Sequence, residues 1–142
     1  MNFDVSLRMS LATPIHERDF YHDGRGPELQ RVRWKHNGVI LHGFEFYNPD
    51  DVYEVANLKH LILHKVEAHA MAGEEVHGDI RATAQSKAAI FRIEESPWKR
   101  SFQQSHLKSC HHFQIMFYDE IYDVICESIS FGSGKLQKQQ AG

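Results

Sequence analysis

Residues 110–131 read CHHFQIMFYDEIYDVICESISF, and this stretch decides how the rest of the chain can fold. Alternation of apolar and polar residues is typical of a half-buried strand. Here it puts Phe113, Ile115 and Phe117 on one face of an extended segment. Because Asp119 and Glu120 interrupt the apolar run, we predict a β-hairpin that turns at these two residues.

An Asp119-Glu120 loop brings the apolar residues of both arms onto one face of the hairpin. The pairs predicted on this face are Phe117 with Tyr122, Ile115 with Val124, and Phe113 with Cys126. The pairs predicted on the other, mixed face are Met116 with Asp123, Gln114 with Ile125, and His112 with Glu127. A four-residue loop over 118–121 keeps the same faces and is an open alternative.

A helix over 119–131 is the competing interpretation of the second arm. Its apolar residues also recur at helical spacing, at Ile121, Val124, Ile125 and Ile129. We favour the strand because residues that prefer strands, such as isoleucine, tyrosine and valine, are crowded together in this arm.

Several short runs in the last third of the chain carry a resemblance to a known group of proteins. They are His112-Phe113-Gln114-Ile115, Phe117-Tyr118-Asp119-Glu120 and Tyr122-Asp123-Val124-Ile125-Cys126, preceded by Trp98, Ser101-Phe102 and His106-Leu107. This pattern resembles small uncharacterised bacterial proteins of the kind carried on mobile gene cassettes. The resemblance implies a stand-alone accessory protein, often homo-oligomeric, without an assigned activity.

Length and charge narrow the class of protein. A chain of 142 residues suits one domain with a substantial core. The formal net charge of −3 and a pI near 6.4 argue against a general nucleic-acid binder. No apolar run reaches the roughly 18 residues of a membrane span, and residues 2–11 alternate like a strand instead of forming a signal-peptide core. We therefore predict a cytoplasmic protein that binds no membrane.

Cysteine and histidine content bear on redox state and pH response. Cys110 and Cys126 do not pair in the predicted register, so we expect reduced thiols. Histidine is the compositional outlier, and full protonation of all 11 copies would carry the formal charge from −3 to +8. These are His16, His22, His36, His42, His60, His64, His69, His77, His106, His111 and His112.

The first half of the chain predicts a strand, a loop and a second hairpin. Residues 2–11 predict a half-buried strand, and residues 12–28 predict a long loop, where lids and binding segments are common. Residues 29–46 predict a hairpin around Asn37-Gly38. This hairpin sets Val32 against Gly43, and a glycine inside a strand indicates a bulge or the close approach of a neighbour.

The middle of the chain predicts short elements. Asn48-Pro49-Asp50-Asp51 predicts the start of a helix that runs to about Leu58, with its valines inward. Residues 60–70 predict a strand or a continuation of that helix, and the strand is favoured. Residues 79–94 predict a third hairpin or a single helix. Ser96-Pro97 predicts a further short helix that puts Trp98 and Phe102 on one face.

Together these patterns predict an α+β fold. We expect a single antiparallel sheet of about six to eight strands, built as a meander of hairpins, with one or two short helices packed on one face. Residues 1–134 form one domain in this prediction, and residues 135–142 form a polar C-terminal tail.

Three sets of residues are candidate sites. His60, His64 and Glu67 would line up on one helical face as ligands for a divalent transition metal, whereas in a strand Glu67 points away from the two histidines. The 12–28 loop offers candidate binding residues of several kinds, with Arg25 flanked by glycines that could present amides to an anion. They are His16, Glu17, Asp19, His22, Asp23 and Arg25.

The third candidate is an acid–base set on the mixed face of the hairpin. His112, Asp123 and Glu127 come together there, and a carboxylate beside an imidazole fixes its tautomer. Cys126 is predicted to face the core, where a thiol behaves as a small apolar group. The aromatic side chains of Trp98, Phe102, Tyr118 and Tyr122 are predicted to be core or interface anchors.

The sequence contains no GxSxG, phosphate-loop or dinucleotide motif. We therefore predict a non-enzymatic binding or interaction module without a cofactor, homodimeric and adaptor- or immunity-like, for a protein partner or small molecule. The alternative hypothesis is a metal-assisted hydrolase that uses a His/carboxylate cluster.

Overall fold

Strands dominate the computed structural model, which describes residues 12–34, 42–77 and 86–136. The predicted 2–11 strand, the Asn37-Gly38 turn, the first arm of the 79–94 hairpin and most of the predicted tail lie outside the described residues. The described residues include two one-turn helices, α1 (Glu74–His77) and α2 (Pro97–Arg100), with 3₁₀ turns at Val55–Asn57 and Gln104–His106. The strands are β1 (Ala12–Ile15), β2 (Glu28–Arg33), β3 (His42–Tyr47), β4 (Lys59–His64), β5 (Ala68–Gly73), β6 (Ile90–Ile93), β7 (His111–Met116), β8 (Glu120–Cys126) and β9 (Ser128–Ser133).

These strands form two antiparallel sheets, so the prediction of a single sheet with helices on one face is wrong. One sheet has five strands in the order β1-β6-β7-β8-β5, and the other has four in the order β2-β3-β4-β9. The second sheet takes the place that the prediction gave to helices, because it covers the apolar face of the first. The described helices have four residues each, too few to cover a sheet.

One bent ribbon connects the two sheets. Strands β4 and β5 follow each other along the chain and pair with β9 and β8 respectively. The ribbon bends where Lys65 adopts a positive φ of 56° and where Glu127 separates β8 from β9. Backbone hydrogen bonds continue across the bend, from Glu67 N to Ile125 O at 2.9 Å and from Glu127 N to His64 O at 2.8 Å. Strands that switch sheets at such bends form the corners of orthogonal sheet packings.

The β7–β8 hairpin forms as a pair of strands, so the helical alternative over 119–131 is wrong. Its register differs from the prediction by two residues, with Ile115 opposite Tyr122 and Phe113 opposite Val124. The loop is Tyr118-Asp119, and Phe117 N donates to Glu120 O at 2.8 Å. A shift of two residues keeps every side chain on its predicted face, because side chains alternate with a period of two.

The core lies between the two sheets and is rich in phenylalanine. Phe44 of β3 reaches across to Tyr122 and Phe117, with ring centroids 4.7 and 5.0 Å apart. Phe20, from the segment after β1, packs edge-on against Phe46 and Phe117 at 4.9 and 5.2 Å. All of these rings are buried. The predicted loop over 12–28 therefore contributes both a strand and a core residue.

The predicted helix after Asn48 is reduced to turns. Asp51 N donates to Asn48 O at 3.0 Å, and the Asp51 carboxylate accepts from Asn48 N and from Lys59 Nζ at 2.8 and 2.6 Å. These bonds hold Asp51 against the start of β4 and leave one 3₁₀ turn instead of a helix. Val52 and Val55, which were predicted to face inward, are exposed.

Other local predictions hold or shift by small amounts. The stretch 60–70 is divided between β4 and β5 instead of forming one strand. In the second hairpin Val32 lies opposite Phe44 instead of Gly43, after an irregularity between Leu29 and Arg31. The predicted close approach at Gly43 is confirmed, because a Cβ there would collide with the backbone carbonyl of Leu61.

The first described residues of the predicted C-terminal tail pack against the domain. Leu136, assigned to the polar tail, is buried, and its backbone N donates to Glu45 Oε2 at 2.9 Å. The chain after β9 therefore crosses the four-stranded sheet before the described residues end. Within the described ranges, no helix combines the length and the apolar character that crossing a bilayer requires.

Candidate functional site

A network of hydrogen bonds joins three polar side chains of the five-stranded sheet, His112, Gln114 and Asp123, to Ser96. His112 Nε2 lies 2.7 Å from Asp123 Oδ1, and His112 Nδ1 lies 2.7 Å from Ser96 Oγ. Gln114 Nε2 donates to the same Asp123 oxygen at 3.1 Å. A carboxylate can only accept, so Nε2 carries a proton toward Asp123, and in the neutral imidazole Nδ1 then accepts from the Ser96 hydroxyl.

Strands β7 and β8 and helix α2 position this network. His112 and Gln114 on β7 and Asp123 on β8 point away from the four-stranded sheet, since their neighbours Phe113 and Val124 face the core. Ser96 is the N-cap of α2, where its Oγ accepts from Lys99 N at 3.0 Å. This confirms the predicted helix start at Ser96-Pro97.

The Ser96–His112–Asp123 chain has the connectivity of a nucleophile, a base and an orienting carboxylate. Two of its three members are buried. Ser96 is 4% exposed and His112 is 8% exposed, and the Trp98 ring packs against His112 with centroids 5.0 Å apart. The serine oxygen is also held as the cap of α2. In this structure the network connects α2 to the five-stranded sheet.

Replacing Ser96 by alanine is expected to lower the free energy of unfolding by about 1–2 kcal/mol, because both the cap and the hydroxyl partner of His112 are lost. The exposed Ser101, whose Oγ donates to Trp98 O at 2.6 Å, provides the matched control. Ser101→Ala is expected to cost less than about 0.5 kcal/mol. Urea denaturation of the two variants measures the difference, and equal losses would contradict the assigned role.

Glu127 does not join the predicted acid–base set. It lies on the bend of the ribbon, where its Oε2 accepts from Ser109 Oγ at 3.2 Å and lies 4.0 Å from Lys65 Nζ. The two-residue change in register explains the separation, because Ile125 now pairs with His112. Ser96 was missed by the sequence reasoning, since no sequence pattern places a helix cap beside residue 112.

The candidate metal ligands do not converge. His60 and His64 share a face of β4, but residues four apart along a strand lie about 13 Å apart. His60 Nδ1 donates to Gly134 O at 2.8 Å, and His64 Nε2 lies 2.7 Å from Ser130 Oγ. Glu67 falls after β4, beyond the bend. Across the part of the chain that the structure describes, no three His, Cys, Asp or Glu side chains are grouped to hold a metal ion.

The candidate residues of the 12–28 segment have different partners and do not form one site. One group bonds to residues 86–88: His22 Nε2 donates to Ser86 O at 2.8 Å, and Glu17 accepts from Lys87 N at 3.3 Å. The His16 ring packs on Phe131 with centroids 5.0 Å apart. Asp19 donates its backbone N to His16 O, and Asp23 donates its backbone N to Arg25 O.

Arg25 belongs to a different surface, at the end of the molecule where β7 turns into β8. Its guanidinium carbon lies 5.8 Å from the ring centroid of Tyr53 and 5.9 Å from that of Tyr118, and Nη2 donates to Tyr53 Oη at 2.6 Å. The exposed Val52 and Val55 lie on the same loop as Tyr53. We call these five residues, Arg25, Val52, Tyr53, Val55 and Tyr118, the tyrosine face.

The two cysteines are free and buried, and both are poor nucleophiles. Burial raises the pKa of the Cys126 thiol to about 12, with the neighbouring Cys110 adding to the rise. Burial also raises the pKa of Cys110. Because the thiolate is the reactive form, neither side chain is prepared for nucleophilic chemistry at neutral pH.

Comparison with known proteins gives no relative: no protein-family model, no curated protein and no solved structure matches this chain.

Proposed function

We propose that this chain is a non-enzymatic interaction module, adaptor- or immunity-like, that binds a protein partner through the tyrosine face. The main support for this proposal is the exposure of the large side chains of the tyrosine face. Val52 is 63% exposed, Tyr53 47%, Val55 70% and Tyr118 45%. Patches of exposed large apolar side chains mark interaction sites.

The residue types also support a binding surface. Tyrosine and arginine are enriched among the residues that dominate interface energetics. Tyr53 is held in place before any partner arrives, since its ring stacks on Tyr47 with centroids 4.9 Å apart. Tyr118 is fixed by its backbone N, which donates to Pro27 O at 2.8 Å. Side chains that are already ordered lose little conformational entropy on binding.

A homodimer is the second part of the proposal, and strand β5 supports it. Among the described strands, β5 lies at the edge of its sheet and pairs with β8 along one side. Its sequence, AHAMAG, contains no proline, lysine or acid of the kind that blocks edge pairing. Met71 is 57% exposed. Two copies of β5 paired antiparallel would give a twofold dimer.

The free thiols support a reducing compartment for this module. Cys110 and Cys126 are both reduced and enclosed by the fold. Reduced cysteines are typical of proteins kept in the cytosol. We therefore include the cytoplasm in the proposal.

Site-specific photocrosslinking in the native host tests both surfaces. The photoreactive residue p-benzoylphenylalanine replaces Tyr53, Met71 or Phe102 in three separate variants. Phe102 is the matched control, because it is an exposed aromatic residue that lies after α2, outside both surfaces. Position 53 is expected to give one discrete heterologous adduct, and position 71 an adduct with twice the mass of the chain.

Each outcome of this experiment decides one part of the proposal. A heterologous adduct from position 53 that disappears in a Tyr118→Ala background supports the tyrosine face as the binding surface. Absence of an adduct at position 53, the same adducts from position 102, or a self-adduct from position 53 would contradict it. Absence of a self-adduct at position 71 would remove the β5 dimer.

A further inference from the structure

The tyrosine face holds a cation between two aromatic rings. The guanidinium of Arg25 lies within 6 Å of the Tyr53 and Tyr118 ring centroids, a distance at which a cation is attracted to the ring electrons. Both rings remain about half exposed. Among the described residues, the contacts of this guanidinium are with tyrosines, so its charge is not held by an ion pair with a carboxylate.

The surroundings of the rings are acidic. Asp23, Asp50 and Asp51 lie near Tyr21, and Glu28 and Asp51 lie near Tyr53. Asp119 and Glu28 lie near Glu120. Of these carboxylates, Asp51 is paired with Lys59 Nζ at 2.6 Å, and Glu28 Oε2 accepts from Tyr53 Oη at 3.4 Å.

Burial is the largest cause of the raised pKa of three neighbouring groups, and nearby carboxylates add to it. Burial, the hydrogen bond to Asp50 and the nearby carboxylates together raise the pKa of Tyr21 to about 12. Burial and then Glu28 raise the pKa of Tyr53, although Arg25 opposes the rise. Burial and then Asp119 and Glu28 raise the pKa of Glu120.

We infer that the tyrosine face binds an arginine or lysine side chain from a basic segment of the partner, which takes the place of Arg25 between the two rings. This inference rests on the proposed function and specifies its partner chemistry. The aromatic rings supply cation–π attraction, and the carboxylates supply charge complementarity that Arg25 leaves unused. Arg25 is then an internal competitor that occupies the cation position beside the half-exposed rings until a partner cation displaces it.

Titration of a defined peptide tests this inference with purified protein. The probe is a fluorescein-labelled peptide with two arginines in a glycine-serine chain, followed by fluorescence anisotropy at low ionic strength. The control peptide carries citrulline in place of arginine, which keeps the shape of the side chain and removes the charge. We expect the arginine peptide to bind and the citrulline peptide to bind at least about tenfold more weakly.

Two variants decide whether displacement occurs. Arg25→Ala removes the competitor, so the arginine peptide is expected to bind about 3-fold to 10-fold more tightly than to the unaltered protein. Tyr53→Ala combined with Tyr118→Ala is expected to abolish binding. Circular dichroism confirms that each variant is folded.

Equal binding of both peptides, or weaker binding to Arg25→Ala, would overturn the inference. Binding retained by the folded double tyrosine variant would overturn it as well. A heterologous crosslink from position 53 together with a failed peptide titration leaves the binding surface in place and removes only the cation. Failure of both experiments removes the proposed function itself.

Discussion

Replacement of Phe117 by alanine is expected to lower the free energy of unfolding by about 3–5 kcal/mol. Phe117 is fully buried, and its ring contacts Phe44 from the opposite sheet and Phe20 from the segment after β1. Removing the ring therefore leaves a cavity where three parts of the fold meet. A loss of this size is a large fraction of the total stability of a domain, which is about 5–15 kcal/mol.

The adjacent residue provides the control for this prediction. Tyr118→Ala changes an aromatic side chain in the same turn, but the ring is largely outside the core and the backbone bond to Pro27 remains. We expect a loss below about 1 kcal/mol. Urea denaturation monitored by far-UV circular dichroism measures both variants. Similar losses for the two substitutions would show that Phe117 is not the junction between the sheets.

Replacement of Gly43 by alanine is expected to cost about 3 kcal/mol, because the new Cβ cannot fit. Gly43 lies in β3, a central strand of the four-stranded sheet. The Cβ would collide with the backbone carbonyl of Leu61 and lie 3.1 Å from Leu136 Cδ2. A carbonyl in the neighbouring strand can move only if the strand pairing moves with it.

Gly73→Ala is the matched control, since a Cβ at the end of β5 meets no atom within 4 Å. Alanine there also reduces the conformational freedom of the unfolded chain. We expect no loss of stability at position 73 in the same thermal or urea denaturation. A Gly43→Ala variant as stable as Gly73→Ala would contradict the close packing of β3, β4 and the chain after β9.

Sequence alternation was sufficient to predict the core-facing residues of the first arm of the β7–β8 hairpin. Phe113, Ile115 and Phe117 face the core, as predicted. The register could not be predicted, because pairings two residues apart give the same faces and only the turn chooses between them. Tyr118 enters the turn because its backbone N bonds to Pro27, a contact with a distant part of the chain.

The division into two sheets had no local signal. The sequence predicts one strand over residues 60–70 and one for the second arm of the β7–β8 hairpin, and the bend comes from Lys65 in a left-handed conformation that lysine seldom adopts. Two of the predicted site residues, His112 and Asp123, do lie together. Ser96 completes their network through α2, and the tyrosine face is assembled from Arg25, the Val52–Val55 loop and Tyr118, which are distant in sequence.

We propose that partner binding takes place on the exposed tyrosine face and that the Ser96–His112–Asp123 network serves stability. The most direct test is the yield of the heterologous adduct from position 53, measured in Ser96→Ala and Tyr118→Ala backgrounds. We predict that Ser96→Ala keeps the adduct although it lowers stability, whereas Tyr118→Ala removes it although the domain stays folded. An adduct that survives Tyr118→Ala and disappears in folded Ser96→Ala would contradict the account.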